Sequence, residues 1–225
     1  MIPASGQSGA RSQNFIDLDL AVGKSQGALA ASVNHDWLLG KNRKIIIGVG
    51  GRFTAYVAKN QYYATAPAQL TSGSTGPGVI FKETIAANID TFLVAKPAVF
   101  AFNALINLGY RFTEKLSAGF NIDAIGFSFG TQKSGNYING TQGQISTAKP
   151  TSFNALLVSD NDRGSLNSEL YVRYALNNKW SVKAGTQFLF TEYTTKTKVQ
   201  QLPEPNDRFR NKSLMFMIGA SIKLK

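Results

Sequence analysis

The chain of 225 residues contains no cysteine and a single histidine, His35. Without thiols there is no disulfide framework and no thiolate metal site, a composition compatible with an oxidising compartment where a stray thiol is a liability. A serine or acyl-transfer mechanism needs a base beside its nucleophile, and His35 is the only imidazole on offer. Clustered His and Cys ligands for zinc are equally missing. Long hydrophobic runs are absent too: nothing approaches the roughly 18 consecutive apolar residues of a membrane helix, and mean hydropathy is only −0.11. Acids are scarce, 13 against 24 Lys and Arg, which leaves a formal net charge of +11. Such a surplus suits nucleic acid or an anionic membrane surface.

What the chain does have is alternation. Ala98, Phe100, Phe102, Ala104, Ile106, Leu108, Tyr110 and Phe112 form one apolar row, while Asn103, Asn107, Gly109 and Arg111 occupy the other parity. After Thr113, Glu114 and Lys115 the pattern restarts, with Leu116, Ala118, Phe120, Ile122 and Ala124 against Ser117, Gly119, Asn121 and Asp123. A period of two is a β-strand. These strands run to about 10 residues or more, past the usual 5 or 6 and enough for a tilted strand to cross a bilayer core.

Rows of the same kind recur at residues 16–22, 29–37, 45–57, 166–176, 180–190 and 214–224. Between them, residues 59–90, 132–164 and 194–212 lose the period and read as three long loops. The sequence therefore predicts an all-β fold, a single closed antiparallel transmembrane β-barrel of about eight strands. An even count lets the first and last strands close antiparallel. The short turns fall at one end, expected to be periplasmic, and the long loops at the other, extracellular end; only residues 23–27 make a short connection there. Residues 1–12 read as a flexible lead and 13–225 as one outer-membrane barrel domain. Residues 1–13 show no apolar signal core, so export requires that the chain begin near a processing site or with an added Met.

Two of the near-end turns repeat one another. Leu108-Gly109-Tyr110-Arg111-Phe112-Thr113-Glu114-Lys115-Leu116-Ser117-Ala118 is echoed by Val172-Arg173-Tyr174-Ala175-Leu176-Asn177-Asn178-Lys179-Trp180-Ser181-Val182. This style of hairpin resembles the small eight-stranded outer-membrane barrels, the OmpA/OmpX-like and OmpW-like superfamily with its relatives in Bacteroidota. The resemblance covers nearly the whole chain from about Gln13 and implies an architecture, not an activity. One departure is the ending Ile222-Lys223-Leu224-Lys225, where many such barrels finish on an aromatic residue.

The inward parity collects Asp17, Asp19, Asp36, Asp123 and Glu169 with Arg52, Arg111, Arg173, Lys183 and Lys223, five acids against five bases. The interior of an eight-stranded barrel is just wide enough for side chains to fill, and buried charge has to be paired. The expectation is a structural plug of salt bridges; a gated ion path is the rival, though no ring of one sign supplies a selectivity filter. Trp37, Tyr110, Phe112, Tyr174 and Trp180 lie on the outward parity at the short-turn end, as an interfacial aromatic girdle requires. Base stacking would need Lys and Arg interleaved on that face, which argues against nucleic acid. The basic excess instead sits in turns and loops, at Lys41, Arg43, Lys44, Lys196, Lys198, Arg208, Arg210 and Lys212, where anionic head groups would attract it. His35, outward beside Trp37, suits a structural role.

These features point to a non-enzymatic protein of a Gram-negative outer membrane with a structural or surface-interaction role and no catalytic residue, metal or cofactor. Its expected partners are outer-membrane lipid and lipopolysaccharide, and a protein at the extracellular loops or within a larger outer-membrane complex. A narrow ion or small-solute channel is the alternative. A soluble lipocalin-like carrier is a third reading, with the same alternation inverted; its Phe and Ile rows would line a pocket with nothing polar to orient a ligand.

Overall fold

The computed structural model describes residues 11–139, 142–157 and 159–224. In chain order its strands are β1 (Arg11–Val22), β2 (Gln26–Leu39), β3 (Ile45–Ala58), β4 (Gln61–Thr65), β5 (Thr91–Val94), β6 (Ala98–Arg111), β7 (Leu116–Phe129), β8 (Lys133–Asn139), β9 (Gln142–Pro150), β10 (Phe153–Ala155), β11 (Leu166–Ala175), β12 (Trp180–Thr195) and β13 (Arg208–Leu224). A short helix, α1 (Ala68–Ser72), follows β4. All thirteen strands belong to one sheet.

Eight of them are the long alternating segments. β1, β2, β3, β6, β7, β11, β12 and β13 each pair antiparallel with the next, and β13 pairs back onto β1, so the hydrogen bonding runs in a ring. The period of two then decides what each side of the wall shows. Leucine, valine, isoleucine and phenylalanine point outward and stay bare: Leu18, Val33, Leu170 and Phe216 are each more than half exposed. Asp17, Asn34, Glu169 and Lys183 point inward and are buried. This is the reverse of a water-soluble sheet and turns the carrier reading inside out, because a carrier needs its apolar rows within.

Beyond the eight long strands the sheet holds five more, thirteen in all where about eight are expected. Four of the short strands arise in segments that read as loops and β5 just after one, because they pair with distant partners and carry no long row of their own. β4, β5, β8 and β9 join the outer ends of β13 and β12 in the order β13, β4, β5, β8, β9, β12, and since β12 pairs with β13 a second, smaller ring results. Its inside is aromatic. Tyr63, Phe92, Tyr193 and Phe209 are fully buried, with ring centroids 5.1 Å apart for Tyr63 and Tyr193 and 5.7 Å for Phe92 and Phe209. β10 extends the sheet alongside the outer half of β7.

Three local departures have clear causes. β7 carries a bulge: pairing steps from Ala104 with Ile125 to Leu105 with Asp123, so Ala124 is the extra residue, and Ile125, Phe127 and Phe129 take over the outward face. Leu166 shares the outward parity but is buried at the outer end of β11. β1 starts at Arg11, ahead of the expected boundary at Gln13, and the remainder of the expected lead, residues 1–10, lies outside the described residues.

Candidate functional site

The interior of the large ring is built by opposing bulk with glycine. Asp19 faces Gly219 and Asp36 faces Gly48 in register, and a Cβ added at either glycine would stand within about 2 Å of the facing carboxylate, at 1.8 and 2.0 Å. Tyr171 crosses over Gly119 in the same way. Glycine on one strand is what lets a long polar group on its neighbour lie across the interior.

Into that space runs a chain of charges. Arg52 on β3 reaches across to Asp123 on β7, at 2.5 Å, and to Glu169 on β11, at 3.0 Å. Glu169 is 3.3 Å from Lys183 on β12, which also holds Asp19 at 2.7 Å and Asp17 at 3.4 Å on β1. Arg173 closes the series on Asp17 at 2.8 Å. Its guanidinium lies 4.4 Å from the Phe15 ring centroid and 5.3 Å from that of Tyr171, while the Lys183 ammonium lies 4.5 Å from Tyr171. Flat aromatic faces thus support the two cations where carboxylates do not.

The balance differs from the five-to-five expectation. Asp17, Asp19, Asp36, Asp123, Glu169, Arg52, Arg173 and Lys183 are buried, five acids to three bases. Arg111 and Lys223 are only half-buried and line a cavity of about 540 Å³ at the short-turn end, along with Gln13, Asp36 and Arg173. Both belong to the last residues of their strands, where the interior meets solvent.

Asparagine supplies the donors that the missing cations do not. Asn34 donates to Asp17 (3.1 Å), Asn103 to Asp123 (2.7 Å), Asn107 to Asp36 (2.9 Å) and Asn121 to Glu169 (2.9 Å). The Asn167 backbone N–H adds a further bond to Asp123 at 2.9 Å. A buried carboxylate satisfied by several N–H donors is far less costly than a bare one. The sequence signal for these asparagines was present, since all share the parity of the acids, but counting charges alone passes over them.

The remaining sequence candidates disperse. Tyr110, Phe112, Tyr174 and Trp180 are exposed on the outside at the short-turn end, with Trp37 half-buried beside them. The His35 ring lies 2.6 Å from the Asn14 side-chain oxygen and edge-on to Trp37 at 4.7 Å, so the imidazole faces an amide and a ring and has no hydroxyl nucleophile among its partners. Among the described residues no group of three or more His, Cys, Asp and Glu side chains is arranged to hold a metal ion. Two cations expected in the open are covered instead: Arg210 is buried and Arg208 half-buried. Both hold the fully buried Glu192, at 2.8 Å each.

No protein-family model matches the chain, and no curated protein matches it. Comparison with solved structures returns outer-membrane proteins at low identity. Neisserial surface protein A is 10% identical over 96% of this chain and 99% of its own, with a TM-score of 0.36. The outer membrane protein Ail of Yersinia pestis, in a phospholipid bilayer nanodisc, is 10% identical over 95% of this chain and 100% of its own, at 0.39. The toluene transporter TbuX of Ralstonia pickettii is 8% identical over 96% and 90%, at 0.26. These likenesses are too loose to carry a conclusion, which rests on the chain's own geometry.

Proposed function

We propose that the chain is a closed eight-stranded transmembrane barrel of a Gram-negative outer membrane, non-enzymatic, with a plugged lumen and an outer surface available for contact. The observation that carries this is the inverted wall: a ring of long strands bare and apolar outside, charged and amide-rich within. In water such an exterior would aggregate, whereas in hydrocarbon it is the stable arrangement, with the backbone paired from strand to strand around the ring. The aromatic residues at the short-turn end suit an interfacial girdle, and lipid and lipopolysaccharide head groups suit the exposed lysines of the turns and loops. Nucleic acid has no stacking surface to recommend it.

The plug follows from the ion pairs that run from Asp123 to Arg173 across five strands, with the aromatic ring of short strands over the outer end. Groups locked in pairs leave little room for a continuous water path. The expected result in planar bilayers is conductance near the level of protein-free membrane. The open cavity beside Arg111 and Lys223 favours a second reading, a narrow channel entered from the periplasm. A large, stable, ion-selective conductance would put that reading first. Recovery of the protein as a detergent-free soluble monomer after cell fractionation would end both.

A further inference from the structure

The outward face of β12 and β13 changes character at one level. Phe188 and Leu214 are bare, and so is Lys212 just above them, but the next outward pair, Glu192 and its register partner Arg210, is buried. What covers it is the segment at residues 159–163. Arg208 and Arg210 both donate to the Asp162 carbonyl oxygen, and Lys212 pairs with Asp160 at 2.9 Å. An ion pair cannot face hydrocarbon cheaply, so the apolar belt ends between Phe190 and Glu192.

A second segment is fastened to this cover. Thr71 of α1 donates to the Asp160 carboxylate at 3.3 Å, the Asn161 amide donates to the Gly76 carbonyl at 2.9 Å, and the Ile85 N–H donates to the Thr71 carbonyl at 2.8 Å. Residues 68–85 are thereby held against the wall near the height where the belt stops. They carry a 3₁₀ turn, Pro77–Phe81, in which Val79 is buried while Ile80 and Phe81 are 56% and 84% exposed. Ile85 is exposed as well, and Lys82 is exposed between them.

We infer that residues 77–85 form a membrane-interface anchor, in which Ile80, Phe81 and Ile85 enter the outer leaflet beside β12 and β13 while Lys82 stays among the head groups. This rests on the transmembrane reading above. Lipid is the occupant because the segment that carries these bare side chains is fastened to the cover where the apolar belt stops, and because Lys212 stands at that level and Lys82 lies among the bare side chains, both matched to anionic head groups and able to keep their ammonium groups in water. A protein partner would need no such alignment with the belt.

The absence of native cysteine makes the test direct, since a single introduced thiol takes the only label. Phe81→Cys, with Ile80→Cys as a second site, Ile106→Cys in the belt and Gln201→Cys on an exposed outer turn, are each given a nitroxide in vesicles of phosphatidylethanolamine and phosphatidylglycerol. Labels at 80 and 81 are expected to collide with oxygen in preference to a water-soluble nickel chelate, as the label at 106 does, with the reverse at 201. Water-like collisions at 80 and 81 with lipid-like ones at 106 would overturn the anchor and leave the barrel standing. Water-like collisions at 106 as well would overturn both.

Discussion

At the level of the belt, Asp17, Arg52, Asp123, Glu169 and Lys183 point into the ring while Leu18, Phe53, Leu170 and Phe216 point out. In the smaller outer ring, Tyr63, Phe92, Tyr193 and Phe209 point in, while Lys96, Lys149 and Lys196 lie in the open. The two regions share strands β12 and β13, so the polarity of the wall reverses along a single pair of strands. On the transmembrane reading proposed above, what differs is the medium outside. Where hydrocarbon surrounds the sheet, apolar groups gain nothing by turning in, and the interior is left to groups that can pair with one another. Where water surrounds it, the ordinary hydrophobic rule returns and the core is aromatic. The first region is held by paired charge and amide donors, the second by buried apolar area.

The most severe way to break the comparison is to remove the cation at the centre of the inner region. Arg52→Ala leaves Asp123 and Glu169 without their shared partner, and removing one member of a buried ion pair costs about 3–5 kcal/mol. Urea unfolding of the detergent-folded protein, followed by the change in gel mobility on unfolding, is expected to show a large fall in midpoint. An unchanged midpoint would mean that water enters the interior freely and the charges are not sequestered.

Charge on the other side of the same wall comes next. Ile106 lies near the middle of the outward row of β6 and is 40% exposed, so Ile106→Arg should cost about 2–4 kcal/mol where arginine faces the bilayer midplane. The same change at Ile145, which is 79% exposed on β9 of the outer ring, should fall within about 0.5 kcal/mol, as surface substitutions do. Folding yield into lipid vesicles separates the two. Equal losses at both positions would show that the two regions see the same solvent.

A smaller effect sharpens the inner half. Gly219→Ala brings a Cβ to 1.8 Å from an Asp19 carboxylate oxygen, and Asp19 is already held by Lys183. Overpacking of this kind costs about 1–3 kcal/mol. Combined with Asp19→Ala, which removes the nearest clash and leaves only the Leu18 carbonyl oxygen at 2.8 Å, the substitution should cost clearly less than it does alone. Additive losses in the double variant would disprove the opposition of glycine and carboxylate.

The inner region was largely legible in the sequence because its strands are long and strictly alternating. Eight inverted rows, their turns and the parity of Asp17, Asp123 and Glu169 can be read from residue type alone. Arg111 and Lys223 were placed with them because parity says which way a side chain points but not how near the end of the wall it lies. The bulge at Ala124 was hidden because alanine fits either row. The outer region was illegible for a different reason. β4 and β5 span only five and four residues, too few to establish a period, and their partners lie tens of residues away or on the ends of β12 and β13. Glu192 gave a signal that went unread: on an outward row of phenylalanines, an acid marks where the lipid stops.

The mildest prediction tests the outer region alone. Tyr137 donates to the Asp90 carboxylate at 2.5 Å, joining β8 to the start of β5, and Tyr137→Phe forfeits a hydrogen bond to a charged acceptor, about 1.5 kcal/mol near neutral pH. Burial, followed by the bond to Asp90, pushes the Tyr137 hydroxyl from 10.0 up to about 12. Tyr193 is pushed up to about 12 by burial as well. In the folded state these phenols keep their protons through a window in which the unfolded chain has already lost them. The unfolded state therefore binds fewer protons there, and stability falls as pH rises from 10 towards 12. Tyr137→Phe removes one such phenol, so its outer ring should begin less stable and lose less over that window. Tyrosinate absorbance and near-ultraviolet circular dichroism, recorded together across the titration, are expected to show one fewer late-ionising tyrosine and a shallower alkaline loss of aromatic signal. A variant whose alkaline loss is as steep as the parent's would show that Tyr137 is not a buried phenol and that the aromatic interior of the outer ring does not extend to β8.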